Sequence, residues 1–325
     1  MQGKADRRPR LQRSTAVAFA PGAITNFFSV DYNSSQDPIG ATGGGYILSK
    51  GTRSKASLVK GEGRRLAISV NGDEKYSART TRRAIGLFVA DSGPDFESIT
   101  LDQEVETPIG AGFGASASSA TSAVYATASV AGVRMPKRGL ALYAHRAEIA
   151  EQTGLGTVSV IYNHIGAGAI VASGEPGKAR FIAVEVPRGT RIITATLAPF
   201  DKKDALSSPT VSRKISRLGR EALSGFMSDQ SLDSLATEGE RFSSELGLES
   251  PEVKKLVRLA KSSGASYASQ NMIGYAVHCV VHSDDSRKVF RALAESSPEV
   301  RVDVFEIGRQ RAGALNTTRR SRGPS

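Results

Sequence analysis

The sequence predicts an α+β protein of two domains, and three observations carry that reading. A chain of 325 residues exceeds the roughly 100 to 200 usual for one domain and can bury a sizeable core. Its strand and helix patterns mix without a repeating βαβ period, which argues for two α+β layers and against a doubly wound sheet. The pattern also changes beyond Gly174-Glu175-Pro176-Gly177, which puts a domain boundary near residue 187. Composition agrees with a globular chain, since 39% hydrophobic and 23% charged residues lie in the normal range.

Taken in order, apolar alternation predicts strands over 15–20, 45–48, 57–60 and 66–70, with turn signals at Pro21-Gly22 and Asn71-Gly72. A helix over 78–90 ends before Asp91-Ser92-Gly93-Pro94, and a strand over 98–105 leads to Pro108. Pro108 to Ser119 is a small-residue loop that runs into an Ala-rich helical segment over 120–130. Helices over 138–152 and 158–164 follow. Strands over 181–186 and 192–197 come next, then helices over 212–223, 232–246 and 251–262. The last strands, 275–281 and 300–307, flank a helix over 286–295.

The net charge of +11 sits mostly at the ends. Residues 1–13 hold Lys4, Arg7, Arg8, Arg10 and Arg13 against Asp6, and residues 309–325 hold five arginines and no acid. Both stretches are poor in apolar residues and read as disordered basic tails that would touch RNA or DNA weakly, through phosphate charge alone. The near-neutral body has no aromatic-basic stripe and no zinc-finger spacing, so nucleic acid is not the expected partner. The single cysteine, Cys279, excludes an intrachain disulfide framework and favours a reducing compartment. No run of 18 apolar residues and no signal-peptide pattern occur, so a cytoplasmic protein with no membrane partner is expected. His278 and His282 share a strand face about 13 Å apart, too far for one metal ion.

The glycine loop carries the chemistry. A backbone that passes a phosphate closely needs residues without Cβ, and Gly110, Gly112 and Gly114 provide them at alternate positions. The helix start that follows adds N–H groups and the positive end of a dipole, worth about 0.3 to 1 kcal/mol per anionic contact. Ser116 stands at that junction, within reach of a phosphate oxygen or its magnesium. No Walker A lysine is present, and the Gly-x-Gly-x-Gly spacing after a β-meander is not a dinucleotide fingerprint.

Three blocks resemble a known family, the GHMP small-molecule kinases, and within it the archaeal-type pantoate kinases. Ala18 to Phe28 is similar to the opening Ala-Pro-Gly and Ile-Thr-x-Phe-Phe. Pro108 to Ser118 is similar to the phosphate loop, with Glu148 and Thr153-Gly154-Leu155-Gly156 behind it. Ala268 to Gly274 resembles the C-terminal Ala-Ser-x-x-Met-Leu-Gly. The resemblance covers about residues 15–308. It implies an ATP-binding domain of the ribosomal-protein-S5-like type over 14–187 and a ferredoxin-like α/β sandwich domain over 188–308.

By the same resemblance, Pro108, Gly110, Ala111, Gly112, Phe113, Gly114, Ala115, Ser116 and Ala117 would hold ATP. Ser116 and Glu148 would hold Mg2+, and Pro21, Gly22 and Thr25 would meet the acceptor. The implied activity is transfer of the γ-phosphoryl group of ATP to the hydroxyl of pantoate, in coenzyme A synthesis; a homodimer is left open.

The sequence departs from the family at the position of its usual aspartate, the candidate base, where Thr157 stands. The family's histidine after Pro-Gly is Ala23, and its Ser-Arg after the Asp37-Pro38 region reads Thr42-Gly43. Asp31, Asp37 and Asp102 are candidate substitutes for the base, and Arg79, Arg82, Arg83 and Arg213 for a cation facing the acceptor's carboxylate. These departures keep two other readings open: a kinase for another hydroxy acid or an amino acid such as homoserine, and a nucleotide-binding protein reduced in catalysis.

Overall fold

Two long β-forming stretches pair antiparallel along most of their length as β1 (Arg13–Tyr32) and β2 (Pro38–Val59). The computed structural model describes residues 13–32, 38–197, 208–272 and 274–318. Pro21-Gly22, read from sequence as a turn, lies inside β1. Proline has no N–H for the ladder, and the register shifts between Pro21 and Ala23, so the chain bulges there and continues. The expected short strands 15–20, 45–48 and 57–60 are therefore parts of one bent hairpin.

The parallel pair β3 (Arg65–Val70) and β4 (Ser98–Val105) is joined through α1 (Arg79–Ser92), and β4 lies against β2. After the glycine loop come α2 (Ala115–Ala131), α3 (Lys137–Ala150) and the short α4 (Thr157–Ile161). Strands β5 (Ala167–Ala172) and β6 (Arg180–Val184) then extend the sheet from the Gly43–Tyr46 part of β2. Gly168 pairs with Gly45, and a Cβ would collide with the Ile24 carbonyl oxygen at Gly45 and with the Ile182 carbonyl oxygen at Gly168. Glycine is what lets these strands approach.

The second sheet has the order β10-β7-β9-β8 in the following labels: β7 (Thr190–Thr196), β8 (Tyr267–Gln270), β9 (Ala276–His282) and β10 (Arg301–Glu306). Its helices are α5 (Pro209–Ser228), α6 (Leu232–Leu246), α7 (Pro251–Ser262) and α8 (Ser283–Ala294). Ser208, Ser231 and Ser250 cap α5, α6 and α7 with their hydroxyls, and proline follows the cap in α5 and α7, a local signal that fixes where each helix starts. Helices α5 and α6 pack on β1, so that Phe28, Phe27 and Tyr46 share a core with Ile215, Phe226 and Phe242. One apolar cluster thus joins both sheets.

The expected disordered tail 309–325 differs from the structure over its described part. Residues Gly313–Thr318 form β11, which adds to β1 with Thr15 opposite Thr318; backbone pairing along a sheet edge needs little apolar side chain, which is why composition alone missed it. The basic residues 1–12 and 319–325 lie outside the described residues. No helix among the described residues is long and apolar enough to cross a membrane.

Thr194, His278 and Ser269 stand opposite one another across β7, β9 and β8. His278 is fully buried, its ring set against Tyr46 at 5.7 Å, and burial lowers its pKa to about 3. The unfolded chain, with histidine near 6.5, therefore binds a proton between pH 6.5 and about 3 that the folded chain does not, so stability falls as pH falls through that window. Replacing His278→Phe is expected to remove about 2 kcal/mol of the stability lost between pH 7 and pH 5. Urea midpoints of both proteins at the two pH values check it; equal losses would show that His278 is not the group responsible.

Candidate functional site

Between β4 and α2 the chain alternates inward and outward. Ala111, Phe113 and Ala115 are buried, while Gly112, Gly114 and Ser116 are half-exposed. Phe113 packs on Phe305 of the second sheet, ring centroids 5.9 Å apart. The loop is held from two sides. Ala23 of the β1 bulge donates its N–H to the Phe113 carbonyl (3.0 Å), and Asn271 donates Nδ2–H to the Ala111 carbonyl (2.8 Å).

Two of its glycines have a specific need. Gly112, with φ 84°, would place a Cβ 3.1 Å from the Asn271 carbonyl oxygen. Gly114, with φ 64°, would place one 3.1 Å from Thr157 Cγ2 and 3.3 Å from the Ala23 nitrogen. Both sit in the left-handed region, where a side chain is strained.

Gly114 is the N-cap of α2, which has no side-chain cap and no acid in its first turn. The opening N–H groups of such a helix suit an anion. The helix is pinned against β2 by buried hydroxyls, Ser118 to Thr52 (2.8 Å) and Ser122 to Ser54 (2.7 Å), and Gln103 donates to Ser54 and to the Ser119 carbonyl. Small residues on this face let helix and sheet approach closely, so the helix start is fixed in front of the sheet.

Beside it opens a cleft of about 170 Å³, lined among others by Tyr76, Arg79, Ile109, Ser116, Ser119 and Thr153. A larger concavity of about 530 Å³ lies against the other side chains of β2 and β4, with Arg53, Lys55, Asp102 and Glu104. It is shallow, of mixed charge, and of the expected site residues it holds only the candidate base Asp102. Asp102 belongs to it because side chains alternate along β4: Gln103 faces the cleft and its neighbour faces away. Asp102 is therefore no base for this site, and Asp37 lies outside the described residues. Of the four candidate arginines only Arg79 lines the cleft; Arg82 donates to the carbonyls of Ser77 and Leu66.

Glu148 on α3 is 1% exposed, not the solvated helix-face carboxylate its neighbour Arg146 suggests. Its Oε2 accepts the Val158 N–H (3.3 Å) and lies 4.0 Å from His145 Nδ1. Burial, the larger cause, lowers the His145 pKa. A Cβ at Gly154 would run into Glu148 Oε1. Thr153 links Glu148 to the cleft: its N–H donates to the Glu148 carbonyl (3.0 Å) and its hydroxyl meets that of Thr80 (3.1 Å). A half-exposed hydroxyl and a buried carboxylate are hard oxygen donors of the kind Mg2+ takes alongside phosphate oxygens and water, so these residues fit that ion.

Thr157 opens α4 and meets Gly114 and, through it, Ala23. Pro21 and Gly22 are buried, and a Cβ at Gly22 would sit 3.0 Å from the Phe113 carbonyl oxygen and from Thr107 Cγ2. They brace the glycine loop; of the three expected acceptor residues only Thr25 keeps a half-exposed side chain. Asn271, Thr153 and the placement of Arg79 were not foreseen. For Asn271 the signal was present in the Ala268–Gly274 block, whose role a sequence cannot give without the fold.

Residues 78–163 match the family model described as GHMP kinases N terminal domain. A pantoate kinase of Methanospirillum hungatei JF-1 is 25% identical over 275 residues, 82% of this chain and 88% of that protein. A pantoate kinase of Thermococcus kodakarensis is 25% identical over 302 residues, 90% of this chain and 96% of that one. Among solved structures, a "phosphotransferase related to CoA biosynthesis pathway" superposes with TM-score 0.80 at 23% identity, covering 94% of this chain and 99% of that one. Homoserine kinase from Cytophaga hutchinsonii superposes with TM-score 0.66 at 16% identity, covering 97% and 100%.

Proposed function

We propose that this chain, which has the GHMP kinase fold and a GHMP kinase N-terminal domain over residues 78–163, is an ATP-dependent phosphotransferase acting on an alcohol. Its acceptor is pantoate, phosphorylated at a hydroxyl to 4-phosphopantoate in the cytoplasm. The observation that carries the kinase reading is the uncapped start of α2 behind a loop whose glycines are held at positive φ from two sides. The pantoate kinase relatives, at 25% identity across most of both chains, support the acceptor.

The chain's own residues divide the work. The backbone from Pro108 to Ala117, with the helix start, holds the polyphosphate of ATP. The Ser116 hydroxyl and the Glu148 carboxylate would hold Mg2+, which when bound would supply positive charge against the charge developing on the phosphoryl group. Ala23, Thr25 and Thr157 face the acceptor on the other side of Gly114. A threonine does not take a proton at neutral pH, so the reading needs a transfer with little deprotonation of the hydroxyl in the transition state, as loose phosphoryl transfer has. Positioning by the loop and the acceptor wall then supplies most of the rate.

The test is an ADP-release assay with ATP, Mg2+ and a panel of acceptors, including pantoate, homoserine and mevalonate. Pantoate alone is expected to release ADP well above background. Release with homoserine instead would keep the kinase and replace the acceptor, and ATP binding without release on any acceptor would favour a nucleotide-binding protein that has lost catalysis.

A further inference from the structure

We infer that Arg79 is a phosphate-binding residue of the nucleotide cleft, a proposal that rests on the kinase reading and adds to it the cation that the glycine loop lacks. From Thr107 to Val133 the chain has no charged residue of either sign, so loop and helix start meet a polyphosphate with backbone dipoles alone. Such dipoles act weakly at an exposed helix end, while ATP brings several negative charges. A fixed cation nearby is the missing part of this constellation.

The lining of the cleft supplies one. It includes Tyr76, Arg79 and Thr80 on the approach to α1 and Ser116 and Ser119 on α2, and Arg79 is the one cation on it, with no acid among the lining residues. Arg79 is the first residue of α1, which also has no side-chain cap and no acid in its first turn. Its side chain is exposed and pairs with Glu151 at 3.7 Å through Nε, longer than a hydrogen bond. Glu151, at the end of α3, thus holds the arginine beside the opening by a long ion pair, and the planar guanidinium is the group that suits a phosphate. Exchange of that exposed pair for a phosphate contact costs little, because solvent screens surface ion pairs and leaves them weak.

The experiment measures binding of ATP, ADP, AMP and adenosine, without Mg2+, to the full chain and to Arg79→Ala and Arg79→Lys. Arg79→Ala is expected to weaken ATP about tenfold or more while adenosine changes less than about twofold, with Arg79→Lys between wild type and alanine for ATP. Equal weakening of ATP and adenosine would overturn the proposal, since a change of cleft shape does not distinguish charge. Wild-type binding of ATP that Arg79→Ala leaves intact would overturn it while leaving the kinase reading standing. A wild-type chain that binds none of the four would remove both.

Discussion

Glu148→Gln is expected to lower turnover about a hundredfold, some 2.7 kcal/mol of transition-state stabilisation, while the melting temperature moves by only a few degrees. The amide matches the carboxylate in size, and its oxygen still accepts the Val158 N–H that Glu148 holds at 3.3 Å. The fold around α4 is therefore kept and the negative charge alone is lost. That carboxylate is 1% exposed, and at such a site a charge acts on a neighbouring cation with little screening by water. The Mg2+ concentration for half-maximal rate should rise in the variant. Gly154→Ala is the companion: a Cβ there would displace the Glu148 carboxylate without removing its charge, so the rate should fall in the same direction. Unchanged turnover at saturating Mg2+ in Glu148→Gln would reduce Glu148 to a packing residue that caps α4.

The part of this molecule legible in the sequence is the part governed by local rules. The strand over 98–105 and the helices over 232–246 and 251–262 appear where their periodicity and serine caps put them. The loop at 110–114 was legible because only glycine tolerates the φ values its backbone takes. What was hidden depends on partners distant in sequence. Pro21-Gly22 has the composition of a turn, and only its neighbour strand at Gly51 and the Phe113 carbonyl turn it into a bulge. β11 has no apolar alternation and exists because β1 offers an edge. The buried state of Glu148 and the grip of Asn271 on Ala111 reach across the fold, and neither residue type announces such a role by its spacing.

Thr157→Asp is expected to raise kcat with pantoate about tenfold. Positioned general bases contribute about 10² to 10⁴, but a loose transition state leaves little proton to remove, so the lower end of that effect is the reasonable size, about 1.4 kcal/mol per tenfold. Position 157 meets the Gly114 end of the phosphate loop and, across it, Ala23, which puts a carboxylate there in front of the acceptor side of the loop. It also brings a second negative charge within one residue of the Val158 N–H already given to Glu148, and toward the polyphosphate, so KM for ATP should rise a few-fold. The sign of the pH dependence separates a base from a merely altered surface. A base works only when deprotonated, so the variant's kcat should fall as pH drops through the new group's pKa, a limb the wild-type threonine cannot produce. A variant with neither gain nor limb would mean that the acceptor hydroxyl does not approach from the Thr157 side, and the search for the acceptor wall would move to the half-exposed face of β1 at Thr25.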